Sequence, residues 1–270
     1  MGFSSPLDGG RPLNPDATEA SGQAVTGIVV RYPQGHVVPM HRHRSGHLIY
    51  ADRGLLRVEA ETGQWLVPPT SAVWLRPDVS HRLVVPVDLR AHGIFVNEGL
   101  CARLPAVDCV VQVSGLVREL ITTLTHPGSQ ARCSRRAQLL GDLLIEELRA
   151  SPQLPFHLPW PLDAKIQEVC QTLMDNPGHA ATADDWADKL AIGEKTFHRR
   201  FLKSTGMTFG KWRQQLRLMS SLTWLMQGMS ISQVALTSGY DSHSAYTTAF
   251  RKQFGQPPSV FLSATQRDGM

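Results

Sequence analysis

A two-helix pattern that occurs twice near the C-terminus constrains the fold more than any other feature of this sequence. Residues 182–205 read TADDWADKLAIGEKTFHRRFLKST. The first helix of the pattern carries three apolar residues on one face, Trp186, Ala187 and Leu190. After a break at residues 191–193, Phe197 and Phe201 stand four apart on a second helix and therefore face the same way. Two short helices joined by a tight break predict a helix-turn-helix unit.

The same pattern returns in residues 230–254, SISQVALTSGYDSHSAYTTAFRKQF. Its first helix again has apolar residues on one face, namely Ile231, Val234 and Ala235. Gly239 occupies the turn, and Tyr246 and Phe250 form the aromatic pair of the second helix. These aromatic residues are expected to be core residues, because helical spacing alone produces such stripes. The repetition makes a helix-turn-helix interpretation much stronger than one match would.

One long helix is predicted between the two units, over residues 208–227 (TFGKWRQQLRLMSSLTWLMQ). Its apolar stripe consists of Trp212, Leu216, Met219, Leu222 and Met226. Such a helix would hold the two units at a fixed separation. The region from 162 to 265 is therefore predicted to be an all-α domain with two helix-turn-helix units.

The outward residues of the two second helices are candidates for DNA contact. If the aromatic pair faces inward, Lys195, His198 and Arg199 project outward toward base edges in a major groove. The further candidates are Arg200, Lys203, Ser242, His243, Ser244, Thr247, Thr248 and Arg251. Basic residues here could also form a merely solvated face, and that alternative includes Lys211, Arg213, Arg217 and Lys252.

The distribution of charge favours DNA contact. Residues 193–267 hold ten basic and two acidic residues, a net charge of +8, whereas the preceding 192 residues hold 17 basic and 20 acidic ones. A basic end on a slightly acidic body is typical of a nucleic-acid-binding module.

From about Pro161 to Ser263 the sequence resembles the AraC/XylS family of bacterial transcription regulators. The segments that carry the resemblance are FHRRFLKSTGMTFGKWRQQLRL, GYDSHSAYTTAF and FGQPPSVF. It implies two helix-turn-helix units on a long helix, binding two successive major-groove faces of promoter DNA. Four departures stand out: Ala191 replaces a Gly, Gly193 replaces a Ser N-cap, Thr248 replaces an Arg, and an Arg after FGQPPSVF is missing. The last two departures predict that the second helix-turn-helix unit recognises DNA sequence less strongly.

The N-terminal part of the chain has a different pattern. Residues 1–22 are rich in Gly, Pro, Ser and acidic residues and predict a disordered arm. From residue 23 to about 100, short runs rich in Val, Ile and Leu alternate with Gly, Pro and Asp, which predicts an all-β barrel or sandwich. The fold class expected for the whole chain is therefore α+β multidomain, with a β-barrel followed by helices.

Histidines are regularly placed in the β region. His41 and His43 alternate along one strand and share a face, His47 follows, and His81 comes after a second short run. This spacing resembles the two cupin motifs, which place two His, a Glu and a third His around a metal. By position, His41, His43 and His81 match the histidines and His47 stands at the Glu. The Pro-x-Gly of the second motif is replaced by residues 76–78, Arg-Pro-Asp.

Two interpretations of these histidines remain open. Converging neutral imidazoles would suit a transition metal, Zn, Ni, Cu or Fe(II), and replacing a carboxylate by His47 favours a softer late metal. Alternatively, the histidines line a pocket for an organic effector or form hydrogen bonds in the barrel mouth. His36 and His92 match no motif and are treated as ordinary residues.

Two amphipathic helices are expected after the barrel, within residues 101–150. The first carries Val113, Leu116, Val117, Leu120, Ile121 and Leu124. The second, from Ser129 to Ala150, has a stripe of Ala137, Leu140, Leu144 and Leu148 with Leu139 and Leu143 beside it. Because both faces need burial, the helix either packs within the chain or meets a second copy, and the resemblance implies a homodimer. Prolines at 152, 155, 159 and 161 predict a stiff linker over 151–161.

Composition and missing motifs narrow the function. No apolar run approaches the roughly 20 residues needed to cross a bilayer and there is no signal-peptide core, so a cytoplasmic protein without a membrane partner is expected. The four cysteines lack CxxC spacing and are expected to be reduced. We find none of the HExxH, GxSxG, P-loop or Rossmann motifs. The prediction is a transcription regulator with a small-molecule or metal effector, not an enzyme. The alternatives are a metal-dependent cupin enzyme with a helical appendage and a structural DNA-binding protein.

Overall fold

A computed structural model of the chain describes residues 23–126 and 135–267. The described residues form two compact units, the first comprising 23–60, 65–156 and 264–267 and the second 61–64 and 157–263. The arm predicted over 1–22, the first residues of the helix predicted from Ser129, and Cys133 lie outside the described residues. Cys101, Cys109 and Cys170 carry free thiols.

The first unit is built on one antiparallel sheet. Its strands are β1 (Val25–Tyr32), β2 (Val37–His41), β3 (Gly46–Ala60), β4 (Gly63–Val67), β5 (Ser71–Leu75), β6 (His81–Val96), β7 (Cys109–Gln112) and β8 (Gln153–Leu154). The order across the sheet is β1-β6-β3-β5-β7-β8, with β2 also paired to β6 and β4 to β3. The β-rich region predicted from residue 23 to about 100 is confirmed.

Two of the strands are much longer than the sequence pattern suggests. The separate runs HLIYA and LLRVEA join in β3, and HRLVV and HGIFV join in β6. The β3–β6 register shifts between Ala51 and Leu55, which bends the strands without ending them. Gly54 at this bend has φ +89°, and a Cβ there would overlap the carbonyl of Asp88. A glycine therefore bends a strand here where the sequence pattern suggested a break.

Three helices complete the first unit: α1 (Glu98–Cys101), α2 (Gly115–Thr125) and α3 (Arg135–Ala150). The core between sheet and helices is apolar, and its helical part consists of Val117, Leu120, Ile121, Leu124, Leu144, Ile145 and Leu148. Leu139 and Leu143 of α3 remain 51% and 42% exposed. The second of the two apolar faces expected on this helix is thus not covered by the described part of the chain.

The boundary between the two compact units, after Phe156, falls inside the linker expected over 151–161, but the secondary structure of 101–161 differs from the expectation. Strand β7 lies inside the segment expected to be helical, and β8 lies inside the expected linker and pairs with β7. Phe156, also in that segment, is buried. Both strands are too short to show an alternating pattern, and prolines are tolerated because β8 is an edge strand.

The second unit is helical apart from β9 (His157–Pro159) and the first two residues of β4. Its helices are α4 (Ala164–Asp175), α5 (Ala183–Lys189), α6 (Glu194–Thr205), α7 (Phe209–Met226), α8 (Ile231–Thr237), α9 (His243–Phe254) and α10 (Pro258–Arg267). The pairs α5–α6 and α8–α9 are the two predicted helix-turn-helix units, and α7 is the predicted long helix, with Thr208 and Gln227 as its caps. No helix within the described ranges combines the length and hydropathy that a bilayer span requires.

The aromatic pairs of both units lie in the core, as predicted. Phe197, Phe201, Tyr246 and Phe250 are fully buried. Phe201 contacts the ring of Trp212 on α7, and the hydroxyl of Tyr246 bonds Ser221 Oγ on the same helix at 2.9 Å. Each second helix is therefore seated on α7 by its aromatic residues, which leaves the opposite face to solvent.

Candidate metal centre and nucleic-acid interface

Three of the predicted histidines converge in the first unit. His41 ends β2 and lies opposite His81, which begins β6. One ring nitrogen from each of His41, His43 and His81 lies within 4.8 Å of the others. The backbone N–H of Asp78 donates to the His43 carbonyl at 2.7 Å. Asp78 has φ +60°, so the residue that replaces the motif glycine keeps a glycine-like backbone conformation.

Backbone carbonyls orient two of the three rings. The Nδ1–H of His41 donates to the Pro39 carbonyl at 2.7 Å, and that of His81 donates to the Val79 carbonyl at 2.8 Å. A carbonyl can only accept, so Nδ1 carries a proton in both rings, and Nε2 is the nitrogen left to bind a metal. Metal-binding histidines are commonly held in this way by a backbone acceptor.

Several nitrogens of the cluster are buried and have no hydrogen-bond partner among the described residues. They are both ring nitrogens of His43, both of His47, and Nε2 of His81. Burial, together with the neighbouring His41, lowers the pKa of His43 to about 4. Burial also lowers the pKa of His81 to about 4, although the Val79 carbonyl opposes the shift. The rings of His43 and His81 are therefore neutral at pH 7, which is the form that binds metal ions.

His47 has a different position from the one expected. Its ring is buried, stacks on Phe95 with centroids 4.4 Å apart, and lies 4.9 Å from the ring of His43. It falls outside the group whose nitrogens lie within 4.8 Å of one another. Burial lowers its pKa well below the ordinary value, and the other three histidines add to this shift. The geometry thus supports three candidate ligands, with His47 as a neutral neighbour.

His92, which matches no sequence motif, belongs to a buried polar network. One ring nitrogen lies 2.7 Å from Thr125 Oγ1 and the other 3.0 Å from Asp52 Oδ2. Arg90 also binds Asp52, and the hydrogen bonds outweigh burial, so the pKa of Asp52 is lowered. The partners are 33 and 40 residues away in sequence, so no local spacing could have revealed them. His36 stacks on Tyr32, outside the histidine cluster.

The first helix-turn-helix unit exposes most of its predicted DNA contacts. Its first helix α5 begins with a capping box between Thr182 and Asp185. The turn contains Ala191 at φ +51°, and α6 begins at Gly193 without a side-chain cap. The exposed candidates on α6 are Lys195, His198, Arg199 and Lys203. Nε2 of His198 lies 3.6 Å from Glu194 Oε1, one helical turn earlier.

Arg200 differs from the other predicted contacts. Its Nε and Nη2 donate to Asp163 Oδ2 at 2.9 Å and 2.6 Å. The other carboxylate oxygen of Asp163 caps the N-terminus of α4. The guanidinium therefore joins α6 to α4, and its half-buried position fits a structural role better than the expected DNA contact.

The second helix-turn-helix unit presents a less charged surface than the first. The exposed candidates are Ser242, His243, Ser244, Thr248 and Arg251. The Ser242 hydroxyl accepts from the backbone N–H of Ala245 and caps α9. Thr247 is half-buried, and its hydroxyl oxygen has no hydrogen-bond partner among the described residues. Gly239, at φ +76°, occupies the turn.

Comparison with known proteins gives family matches in both compact units of the fold. Residues 186–264 match the profile of a helix-turn-helix domain, and residues 23–141 match that of an AraC-like ligand binding domain. The HTH-type transcriptional regulator NimR of Escherichia coli (strain K12) is 34% identical over 225 residues, covering 83% of this chain and 82% of NimR. The HTH-type transcriptional regulator RipA of Corynebacterium glutamicum is 36% identical over 105 residues, covering 39% of this chain and 32% of RipA. The structure of ToxT from Vibrio cholerae aligns with a TM-score of 0.38 and 14% identity, covering 89% of this chain and 98% of ToxT.

Proposed function

The chain belongs to the AraC family of DNA-binding transcription regulators, and on that premise we propose that its N-terminal domain senses a late transition metal ion. The relatives are transcription regulators, and the chain is a regulator with a ligand-binding domain rather than an enzyme. We further propose that it acts in the cytoplasm, where promoter DNA is found, and that metal occupancy changes promoter binding.

The observation that carries the metal proposal is the convergence of one ring nitrogen each from His41, His43 and His81 within 4.8 Å. Both ring nitrogens of His43, and Nε2 of His81, are buried without a hydrogen-bond partner among the described residues. Buried polar atoms are nearly always hydrogen-bonded, and each exception needs an explanation. His41, His43 and His81 would hold the ion through ring nitrogens, and backbone carbonyls already orient the rings of His41 and His81. When bound, the ion would supply bonds that tie β2 to β6. Three nitrogen donors without a carboxylate favour Zn²⁺, Ni²⁺, Cu²⁺ or Fe²⁺ over Mg²⁺ or Mn²⁺.

The test is metal analysis of protein purified without a histidine tag or chelator, together with DNA-binding titrations. We expect close to one equivalent of a transition metal per chain and a DNA affinity that changes when the metal is removed by chelation and returned. The double variant His43→Ala/His81→Ala should lose both the metal and the response. The control variant is His126→Ala, because His126 is an exposed histidine outside the cluster. DNA binding that ignores metal would favour an organic effector instead.

For DNA binding, we propose that both helix-turn-helix units contact promoter DNA, each through the exposed face of its second helix. The exposed basic residues Lys195, Arg199 and Lys203 on α6 and Arg251 on α9 support this proposal. Two such units on one helix would reach successive major grooves. A footprint confined to the length of one unit's site would contradict it.

We also propose that the regulator is a homodimer that uses the exposed face of α3. Leu139 and Leu143 stand one helical turn apart there, 51% and 42% exposed. Exposed apolar residues in such a row favour burial against a second copy. The variant Leu139→Ser/Leu143→Ser should be monomeric by light scattering while the parent is dimeric. A control variant, Leu116→Ser, alters an exposed leucine on the neighbouring helix α2 and should leave the dimer intact.

A further inference from the structure

Arg217 lies near the middle of α7 and binds backbone carbonyls from segments that precede and follow this helix in the chain. Its Nε donates to the Pro177 carbonyl at 3.0 Å and its Nη2 to the His179 carbonyl at 3.2 Å. Both acceptors belong to the loop between α4 and α5, which leads into the first helix-turn-helix unit. Its Nη1 donates to the Gly239 carbonyl at 3.0 Å, in the turn of the second unit. One guanidinium therefore joins the loop that precedes the first helix-turn-helix unit to the turn of the second.

The loop and the turn approach each other so closely that both carry glycine. A Cβ on Gly178 would lie 2.6 Å from the Thr237 carbonyl oxygen. A Cβ on Gly239 would lie 2.8 Å from Nη2 of Arg217 and 3.1 Å from the Gly178 carbonyl oxygen. Neither backbone has room to move toward the other, so the contact has a narrowly defined geometry.

A second arginine on the same helix extends the contact. Arg213, one turn before Arg217, donates from Nη1 to the Ala181 carbonyl at 2.7 Å, directly before the cap of α5. Arginine suits this role because its planar group presents five donors in a rigid fork, whereas lysine has one nitrogen. The sequence pattern allowed both arginines to be part of a solvated basic face, but their donors are used inside the domain.

We propose that Arg217 is a positioning residue that sets the separation between the two DNA-reading helices, α6 and α9, and thereby the spacing of the two DNA sites that the regulator accepts. This inference rests on the proposed contact of both units with DNA. One additional base pair between the sites increases their separation by about 3.4 Å along the DNA axis. It also rotates one site relative to the other by roughly a tenth of a turn. A rigid pair of units must reject that change, and a loosened pair can accommodate it.

The test measures spacing preference rather than affinity alone. DNA with two sites is first enriched from a random library by the parent protein. Fluorescence anisotropy at one fixed salt concentration then compares the enriched spacing with spacings one and two base pairs longer. The variants are Arg217→Met, which removes the donors, and Arg217→Lys, which keeps the charge. Lys211→Met is the control, because it removes one charge from an exposed position on the same helix.

We expect the parent and Lys211→Met to lose about tenfold or more in affinity on a one-base-pair insertion, equivalent to about 1.4 kcal/mol. Arg217→Met should lose only about twofold to threefold, with Arg217→Lys between them. Circular dichroism and thermal unfolding establish that each variant is folded. If Arg217→Met does not fold, Arg217→Lys decides the question.

A purely structural role would lower the unfolding temperature of the Arg217 variants while leaving the spacing preference unchanged, and that result would overturn the inference. A parent protein indifferent to spacing would instead overturn the proposed two-unit contact itself. The two failures are thus distinguishable in one set of titrations.

Discussion

The two helix-turn-helix units share a plan but differ in how their local structure is stabilised. In the first, the turn residue Ala191 has φ +51° and the second helix begins at Gly193 without a side-chain cap. In the second, Gly239 has φ +76° and Ser242 caps the helix. The second unit thus has the residue type that each position favours, and the first does not.

Charge follows the opposite trend. The first unit exposes Lys195, Arg199 and Lys203 on α6, whereas the corresponding face of α9 is mainly hydroxyl groups, with Arg251 near its end. Favourable local geometry and DNA-binding charge are therefore divided between the two helix-turn-helix units. We expect the first to contribute most of the sequence-dependent affinity and the second to contribute mainly alignment. Four predictions test this comparison, in order of decreasing size of effect.

Gly239→Ala should destabilise the second unit by roughly 2–4 kcal/mol, combining the cost of a left-handed alanine with the crowding of a side chain against Arg217. Three hydrogen bonds hold that guanidinium, so it cannot move aside cheaply. Urea unfolding measures the effect. Gly255→Ala is the matched control, because Gly255 has φ +77° with open space around its Cα, and it should cost about 1–2 kcal/mol. Equal losses in both variants would show that the Arg217 contact is not tight.

Arg199→Ala should weaken DNA binding by about 1–3 kcal/mol and relax preference at one base position, if the arginine makes a bidentate base contact. Thr248→Ala, on the less charged second unit, should change affinity by less than about 0.5 kcal/mol. Anisotropy titrations on single-base variants of the enriched DNA measure both. Uniform weakening on every sequence would identify Arg199 as a phosphate contact. A larger loss for Thr248→Ala would reverse the assignment of roles.

Ala191→Gly should stabilise the first unit by about 1 kcal/mol, because alanine is strained at φ +51° and glycine is not. The gain is seen as an increase in the free energy of unfolding in urea. Ala187→Gly, within the buried part of α5, is the control and should destabilise by about 1 kcal/mol or more. A loss of stability in Ala191→Gly would mean that the methyl group has a favourable contact that outweighs the strain.

Gly193→Ser should stabilise α6 by a few tenths of a kcal/mol, about the difference between serine and glycine as N-caps. Ser242→Gly should destabilise α9 by about the same amount, since it removes the hydroxyl that accepts from Ala245. The same urea measurements apply. If the gain from Gly193→Ser and the loss from Ser242→Gly differ in size, the two helix-turn-helix units differ in more than their N-caps.

Much of the fold was predictable because it depends on local periodicity. The two helix-turn-helix units, the buried aromatic pairs and the limits of α7 follow from helical spacing, which repeats within a few residues. The joining of short runs into β3 and β6 was not predictable, since a bulge continues a strand through a residue that ordinarily signals a break. The strands β7 and β8 were missed because they are too short to alternate.

The candidate metal site and the DNA-binding residues were also predictable only in part. Sequence spacing selected His41, His43 and His81, and the register between β2 and β6 brings them together. The same spacing suggested His47 as a fourth ligand. In the structure its ring stacks on Phe95 and lies outside the group formed by the other three histidines. No pattern could assign a partner to Arg200 or His92, because their partners lie more than 30 residues away.

Periodicity, charge and motif spacing are local properties, so the sequence was enough to predict the architecture, the family and the residues of the candidate metal and DNA sites. Contacts made on folding settle which charged groups face solvent and which bind the protein's own backbone. Arg199 and Arg217 are indistinguishable as letters on amphipathic helices, yet one is exposed and the other donates to three carbonyls. That difference arises from contacts between distant segments, and only folding creates them.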